Sequence, residues 1–245
     1  MCQQFNAFDA YLKDAVDLAL KDEKDGADNG NLTWFWDLAC RGVRQNWTDL
    51  LPEYFLEQYL WCVGSIQKRY TSHEKYFPAQ VALFRQCNVS EIARDADSIR
   101  AEWAEEKRDL NSRMVNAIIS TAIEMREGWD AFKKSNLLLP GNAESESMDD
   151  WWDAHSALDN LPMVGEAIGW YLIRNLYGAP FFKPDLHINA IAMHFFGEAG
   201  IPAMSVAVRE LWPQTCSDAR FEKVHLGVVD YMLWWYRQTT NDPPD

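Results

Sequence analysis

The sequence predicts an all-α protein, on three observations. Apolar residues recur at the three- and four-residue spacing of a helix face along nearly the whole chain. No stretch alternates apolar and polar residues as a half-buried strand would, and proline, glycine and capping residues fall at the ends of the helical stretches. With 245 residues, 48% apolar and 13% aromatic, the chain can bury a substantial core and does not belong to the disordered class.

Taken in order, Phe8, Tyr11, Leu12, Ala15, Val16, Ala19 and Leu20 mark one face of a first helix, and KDEKDGADNG ends it with charge and glycine. TWFWDLACRGV and EYFLEQYLWCVGSIQKRY read as two more helices. Pro78 is placed to open another through AQVALFRQC, because proline suits a helix's first turn. Ser90 reads as an N-cap, and the long helix-forming run from Ile92 to Lys134 divides in two near Asp109 to Ser112. LLLPGNAESESMDD gathers proline, glycine, serine and acids, which marks it as the longest loop and the boundary between two halves. Beyond it, Trp151–Asn160, Gly165–Tyr177, Asp185–Phe196, Ala203–Leu211 and Ser217–Arg237 read as helices, with no repeat at a fixed period.

Charge restricts the partners. Asp and Glu number 37 against 23 Lys and Arg, a formal charge of -14, and such a surface repels phosphate backbones unless the charge is segregated from the binding face. The acidic runs at Asp22 to Asp28 and Glu144 to Asp153 read as solvated loops. Between Leu161 and Lys183 the balance differs: Arg174 and Lys183 against Glu166 leave that segment slightly positive. The five cysteines are scattered, with no C-x-x-C pair, and read as free core residues. No apolar run approaches the roughly 18 to 20 residues of a membrane span. The N-terminus lacks a basic segment followed by an apolar one, so the expectation is a soluble, cytoplasmic protein with no membrane partner.

The most informative stretch is LPMVGEAIGWYLIRNLYGAPFFKPDLHINAIAMHFF, residues 161–196. Leu161-Pro162-Met163-Val164-Gly165 is a short turn between helices, with proline stopping the first and glycine permitting close approach at the start of the second. Backbone N–H groups in that second helix's first turn, at Val164, Gly165 and Glu166, can hold a phosphate oxygen without a basic side chain. Gly178-Ala179-Pro180-Phe181-Phe182-Lys183-Pro184 is then a stiff connection that delivers Asp185 to the N-cap of the next helix.

In the order and spacing of these parts the segment resembles the helix-hairpin-helix superfamily of base-excision DNA glycosylases, whose hallmark is this hairpin, a Gly/Pro-rich loop and one catalytic aspartate. The resemblance covers about 35 residues. It implies a two-lobed all-α fold with the active site in the cleft between lobes, the hairpin and catalytic loop within residues 149–196, and Asp185 as the catalytic acid. It also implies DNA contacts from Met163, Val164, Gly165 and Glu166, with Lys183 and His187 close by. The family hairpin usually reads L-P-G-V-G, and here Met163 stands at the first glycine. Members that also cut the strand carry a lysine just after the hairpin, where this chain has Glu166 and Ala167, which implies monofunctional base removal. A four-cysteine iron–sulfur motif closes some members; the C-terminal half here holds only Cys216, so no cluster is expected, and the hairpin leaves room for a monovalent cation at most.

The chemistry also follows from the residues alone. Breaking an N-glycosidic bond builds positive charge on the sugar, and a fixed anion stabilises that charge more than it stabilises the neutral substrate. A carboxylate at a helix N-terminus is biased toward its ionised form and can orient a water. Extruding a base from duplex DNA further requires aromatic walls, for which Trp34, Trp36, Trp151, Trp152, Trp234 and Trp235 are available, though indoles of this kind more often pack in cores. His187 and His194, seven apart on one helix, do not have the spacing of a tight metal site, and His187 is placed instead to contact substrate or phosphate. The expected activity is removal of a damaged or modified base from DNA. The alternatives are an N-glycosidase acting on a nucleoside, nucleotide or RNA, which suits the acidic surface, and a catalytically inactive helical interaction protein that binds a basic protein partner.

Overall fold

The computed structural model describes residues 2–66, 70–106 and 109–240. Among them are fourteen α-helices and no strand. In chain order they are α1 (Cys2–Asp25), α2 (Asn31–Arg41), α3 (Val43–Thr48), α4 (Pro52–Gly64), α5 (Tyr70–Leu83), α6 (Val89–Arg94) and α7 (Ala96–Glu106). Then follow α8 (Ser112–Glu127), α9 (Trp129–Asn136), α10 (Trp152–Leu158), α11 (Glu166–Tyr177), α12 (Leu186–Phe196), α13 (Gly200–Thr215) and α14 (Leu226–Thr240). No single described helix is long and apolar enough to cross a membrane.

The chain forms two compact units that do not follow its halves. One comprises residues 1–43, 144–148 and 177–245; the other comprises 44–143 and 149–176. The expected boundary loop does carry two of the crossings, but the chain also crosses near residues 43 and 176. The reason lies in α1, whose apolar stripe finds its complement at the other end of the chain.

In the first unit, Phe8, Leu12, Ala15, Val16 and Ala19 of α1 are buried in one core with Ile188 and Ile191 of α12, Val208 of α13 and Val229 of α14. Each large apolar side chain in such a core contributes about 1.5–3 kcal/mol. Phe8 meets Phe195 and Phe196 edge to face at 5.4 and 4.9 Å. The run Asp22 to Asp28 is only in part the solvated loop the sequence suggests: α1 continues to Asp25 and Lys24 to Ala27 are exposed. Asp28 is fully buried and accepts the N–H groups of Gly30 and Leu32, both at 2.9 Å, at the start of α2. Glu23 and Asp218 share the Arg220 guanidinium, which holds both carboxyls below their usual range. Of the second acidic run, Glu146 pairs with Arg209.

The second unit is built on aromatic packing. Within α4 Phe55 stacks on Tyr59, and it meets Trp129 of α9 at a tilt and Phe132 edge to face, while Trp61 packs against His73 and Phe77 of α5. That contact corrects the expected start of α5. The helix begins eight residues before Pro78, which lies inside it at an exposed position. The cap of α6 is Asn88 rather than Ser90, accepting Glu91 N–H at 2.9 Å. The long run that follows makes four helices, α6 to α9, rather than two. Its expected break survives at Asp109 (φ 59°) and Asn111, which caps α8. The end of the EYFLEQYLWCVGSIQKRY helix, residues 67–69, lies outside the described residues.

Before α6, Arg85, Gln86 and Cys87 all have left-handed backbone angles, φ 52°, 54° and 58°. Three such non-glycine residues in a row cost about 1–2 kcal/mol each. The turn persists because Arg85 is clamped to Asp95 (3.2 Å) and to both oxygens of Glu102 (2.6 and 3.1 Å), and Cys87 is buried. Of the other cysteines, Cys62 is buried, Cys216 half-buried and Cys40 exposed, so the core assignment fails for Cys40. The side chain of Cys2 lies outside the described set.

Helices α10 and α11 are consecutive, joined by residues 159–165 within the second unit. Val164 N–H closes the turn on Leu161 O at 3.2 Å, and the buried Tyr59 hydroxyl donates to the Pro162 carbonyl. Met163 has φ 65°, the left-handed conformation that favours glycine. The two helices are joined by His155, which is buried, stacks on Trp152, meets Trp170 at a tilt with ring centroids 4.4 Å apart, and joins the Glu166 carbonyl through Nε2 at 2.9 Å. Gly169 makes room for that ring. A Cβ there would lie 2.6 Å from His155 Nε2. Gly169→Ala is therefore expected to lower stability by about 1–3 kcal/mol, because the sandwiched imidazole has nowhere to move; urea unfolding followed by Trp fluorescence measures it.

Candidate functional site

Residues 178–185 run from the end of α11 to α12 through contacts that only particular residues allow. Gly178 has φ 65°, and a Cβ there would sit 3.0 Å from the backbone of Leu38. A Cβ on Gly227, at the start of α14, would collide with the Ala179 carbonyl oxygen. Both positions let backbone approach backbone, the role glycine fills without steric cost. The sequence-expected helix Ser217–Arg237 is interrupted here. A short turn at Ala219–Phe221, capped by Asp218, precedes an irregular step, and α14 starts only at Leu226. Ala179, Phe181 and Phe182 are buried, so the loop is fixed along its length.

Lys183 is held at both ends. Its backbone N–H donates to Asp230 Oδ1 at 2.8 Å, and its ammonium pairs with Asp185 Oδ2. Asp230 on α14 is 0% exposed and Lys183 5%. Asp185 caps α12 as expected: Oδ1 accepts Ile188 N–H at 2.8 Å, and its carbonyl receives Asn189 N–H at 2.9 Å. The two carboxylate oxygens thus have separate duties, one to the helix and one to the lysine. At 15% exposure, the Asp185 side chain is the more open member of the pair. His187 joins Gln238 at 2.9 Å through Nε2 and lies edge-on to Trp234, with ring centroids 6.4 Å apart.

The first unit therefore brings together Lys183, Asp185 and His187 of the sequence-predicted set. Met163, Val164, Gly165 and Glu166 belong to the second unit. Gly165 and Glu166 are exposed, and Met163 and Val164 half-buried. The expected positive balance of this segment is not a surface property. Arg174 and Lys183 are buried, in different units, while Glu166 is exposed. Of the tryptophans, Trp151 is core, Trp152 is exposed, and Trp34, Trp36, Trp234 and Trp235 are half-buried. Trp235 donates to Asp22 at 2.9 Å.

Sequence reasoning missed Asp230 and Gln238. The signal was present: Asp230, Trp234, Arg237 and Gln238 fall at i, i+4, i+7 and i+8, a polar stripe on one face of an otherwise apolar helix. A carboxylate inside LGVVDYMLWWY requires a buried partner, which is the Lys183 backbone. Among the described residues no group of three His, Cys, Asp or Glu is placed to hold a metal ion. His194 is exposed and packs edge-on against Phe195. No protein-family model, no curated protein and no solved structure matches the chain.

The loop's other anchor is His225, beside Gly227 and hydrogen-bonded to the backbone of Gly178. Burial lowers its imidazole from 6.5 to about 4, against a weaker upward pull from those backbone bonds. The unfolded chain takes up this proton as pH falls below about 6.5 and the folded one only near 4. His225 therefore contributes stability above pH 6.5 that is lost on the way down to pH 4, up to about 3 kcal/mol. His225→Asn should flatten the pH dependence of urea stability in that window and leave the carboxylate-driven loss at lower pH in place.

Proposed function

We propose that the chain is a DNA glycosylase of the helix-hairpin-helix type that hydrolyses the N-glycosidic bond of a damaged or modified base, with Asp185 assisting the attacking water. The observation that carries this reading is the Asp185 carboxylate itself, fixed at an N-cap by Ile188 N–H and Lys183 after a loop that follows a helical hairpin. The hairpin backbone supports it. Met163 has φ 65°, the left-handed region that glycine favours, which is compatible with a turn whose usual residue there is glycine. The two-lobed arrangement of that family is part of the proposal, as are DNA contacts from the first turn of α11. There the exposed Gly165, Glu166 and Ala167 carry N–H groups with no intrahelical acceptor.

On this reading the sugar's developing cation would lie beside the Asp185 carboxylate. Opposite charges about 4 Å apart at an effective dielectric near 20 attract by roughly 4 kcal/mol, about a thousandfold in rate. Asp185→Asn should therefore lower base release, by at most about a thousandfold, since the paired Lys183 ammonium offsets part of the carboxylate's field. Asparagine caps helices about as well as aspartate but removes the counter-charge of the buried Lys183, so the variant should fold with a lowered melting temperature. The measurement is free base by mass from a panel of oligonucleotides carrying damaged and modified bases, with thermal melting of the variant beside it. Undiminished release by the variant overturns the mechanism.

A second reading keeps the chemistry and takes a nucleoside, nucleotide or RNA. The burial of Arg174 and Lys183 and the exposure of Glu166 favour it, since a small substrate meets less of the negative surface. Binding that weakens steeply with salt assigns the polymer; activity on a small nucleotide that ignores salt assigns this alternative.

A further inference from the structure

Of the twelve tryptophans only Trp152 is exposed, to 54%. Its ring is nevertheless held in place. One side lies on the His155 imidazole, with planes 15° from parallel and centroids 5.5 Å apart, and His155 in turn meets Trp170 at 4.4 Å. His155 and Trp170 are both buried, so the indole stands on a fixed base and loses little freedom when a ligand settles on it.

The charges around the ring select the occupant. Asp149 and Asp150, in the turn just before α10, are exposed, as are Asp153 and Asp159. Trp152, the exposed Ser156 and Asp159 fall at i, i+4 and i+7, on one outward face of α10 and its C-cap. Asp159 Oδ1 lies 3.9 Å from His155 Nδ1, so this carboxylate and the indole rest against the same imidazole. No lysine or arginine occurs between Lys134 and Arg174 in the sequence to offset these charges. The carboxylates repel a phosphate that approaches the ring, whereas a cation is drawn both to them and to the indole face.

We infer that this surface of the second unit docks a basic peptide segment through an arginine side chain, the guanidinium stacking on Trp152 and its N–H groups donating to the flanking carboxylates. Arginine suits the site better than lysine, because its cation is planar, stacks on aromatic rings and presents a fork of donors that matches a carboxylate. The inference is independent of base removal, since it needs neither Asp185 nor a nucleic acid.

The experiment titrates the full chain, by calorimetry, with a synthetic peptide of alternating arginine and glycine, with the lysine–glycine peptide of equal charge, and with a single-stranded oligothymidylate. The arginine peptide should bind, the lysine peptide more weakly, and the oligonucleotide not at all. Trp152→Leu should weaken the arginine peptide about tenfold and remove most of its advantage over lysine. Asp153→Asn combined with Asp159→Asn should weaken it too, while Asp14→Asn with Asp17→Asn, which removes the same charge from exposed positions on α1 of the first unit, should change it by less than about twofold. Thermal melting of each variant is recorded alongside, and if Trp152→Leu fails to fold, the two aspartate pairs decide. No binding of the arginine peptide overturns the inference. So does equal weakening by both aspartate pairs, or no preference for arginine, either of which assigns the affinity to net charge alone. Oligonucleotide binding that Trp152→Leu abolishes also overturns it and assigns the ring to an unpaired base.

Discussion

The contact on which the candidate site depends is the one between the Asp185 carboxylate, the Lys183 ammonium and the first turn of α12. Withdrawing a charge pair from water costs several kcal/mol per ion, and the attraction of the pair offsets this only where further hydrogen bonds satisfy the remaining atoms. Those bonds are present: Ile188 N–H on one carboxylate oxygen, and Asp230 on the Lys183 backbone N–H. Removing either partner strands a buried charge. The loop cannot relax around such a loss, because Gly178 is packed on Leu38 and Ala179 on Gly227. The ion pair is thus positioned by two backbone-on-backbone contacts, and a methyl group on either glycine would displace it.

This arrangement explains which parts of the fold the sequence could disclose. Asp185 as a cap was legible, because capping is a local matter of one side chain and the N–H groups two or three residues on. The break near Asp109 was legible for the same reason. Pro78 was misleading because its local preference for a first turn is outweighed by the ring packing of His73 and Phe77 on Trp61, which sequence spacing alone does not reveal. The interleaving of the two units was invisible, since the apolar stripe of α1 states only that a partner exists, not that the partner is α14. Asp28 and Glu23 illustrate the converse error. An acidic run looks solvated until it is known that one carboxylate caps α2 and another meets Arg220.

Charge bookkeeping along a segment fails for a related reason. Arg174, Lys183 and Glu166 lie within eighteen positions of one another, but the two cations are buried and the anion is exposed, so their sum describes no surface. Backbone N–H groups at an exposed helix end act at short range and contribute about 0.3–1 kcal/mol toward an anion. A contribution of that size does not gather a phosphate polymer from solution against a net charge of -14.

A carboxylate already paired with an ammonium is a weaker stabiliser of a neighbouring cation than a bare one, because the lysine's field opposes its own. In any reading that sets Asp185 against a developing cation, the two charges of the pair act in opposite directions, so the net field at the site is smaller than the carboxylate alone would give.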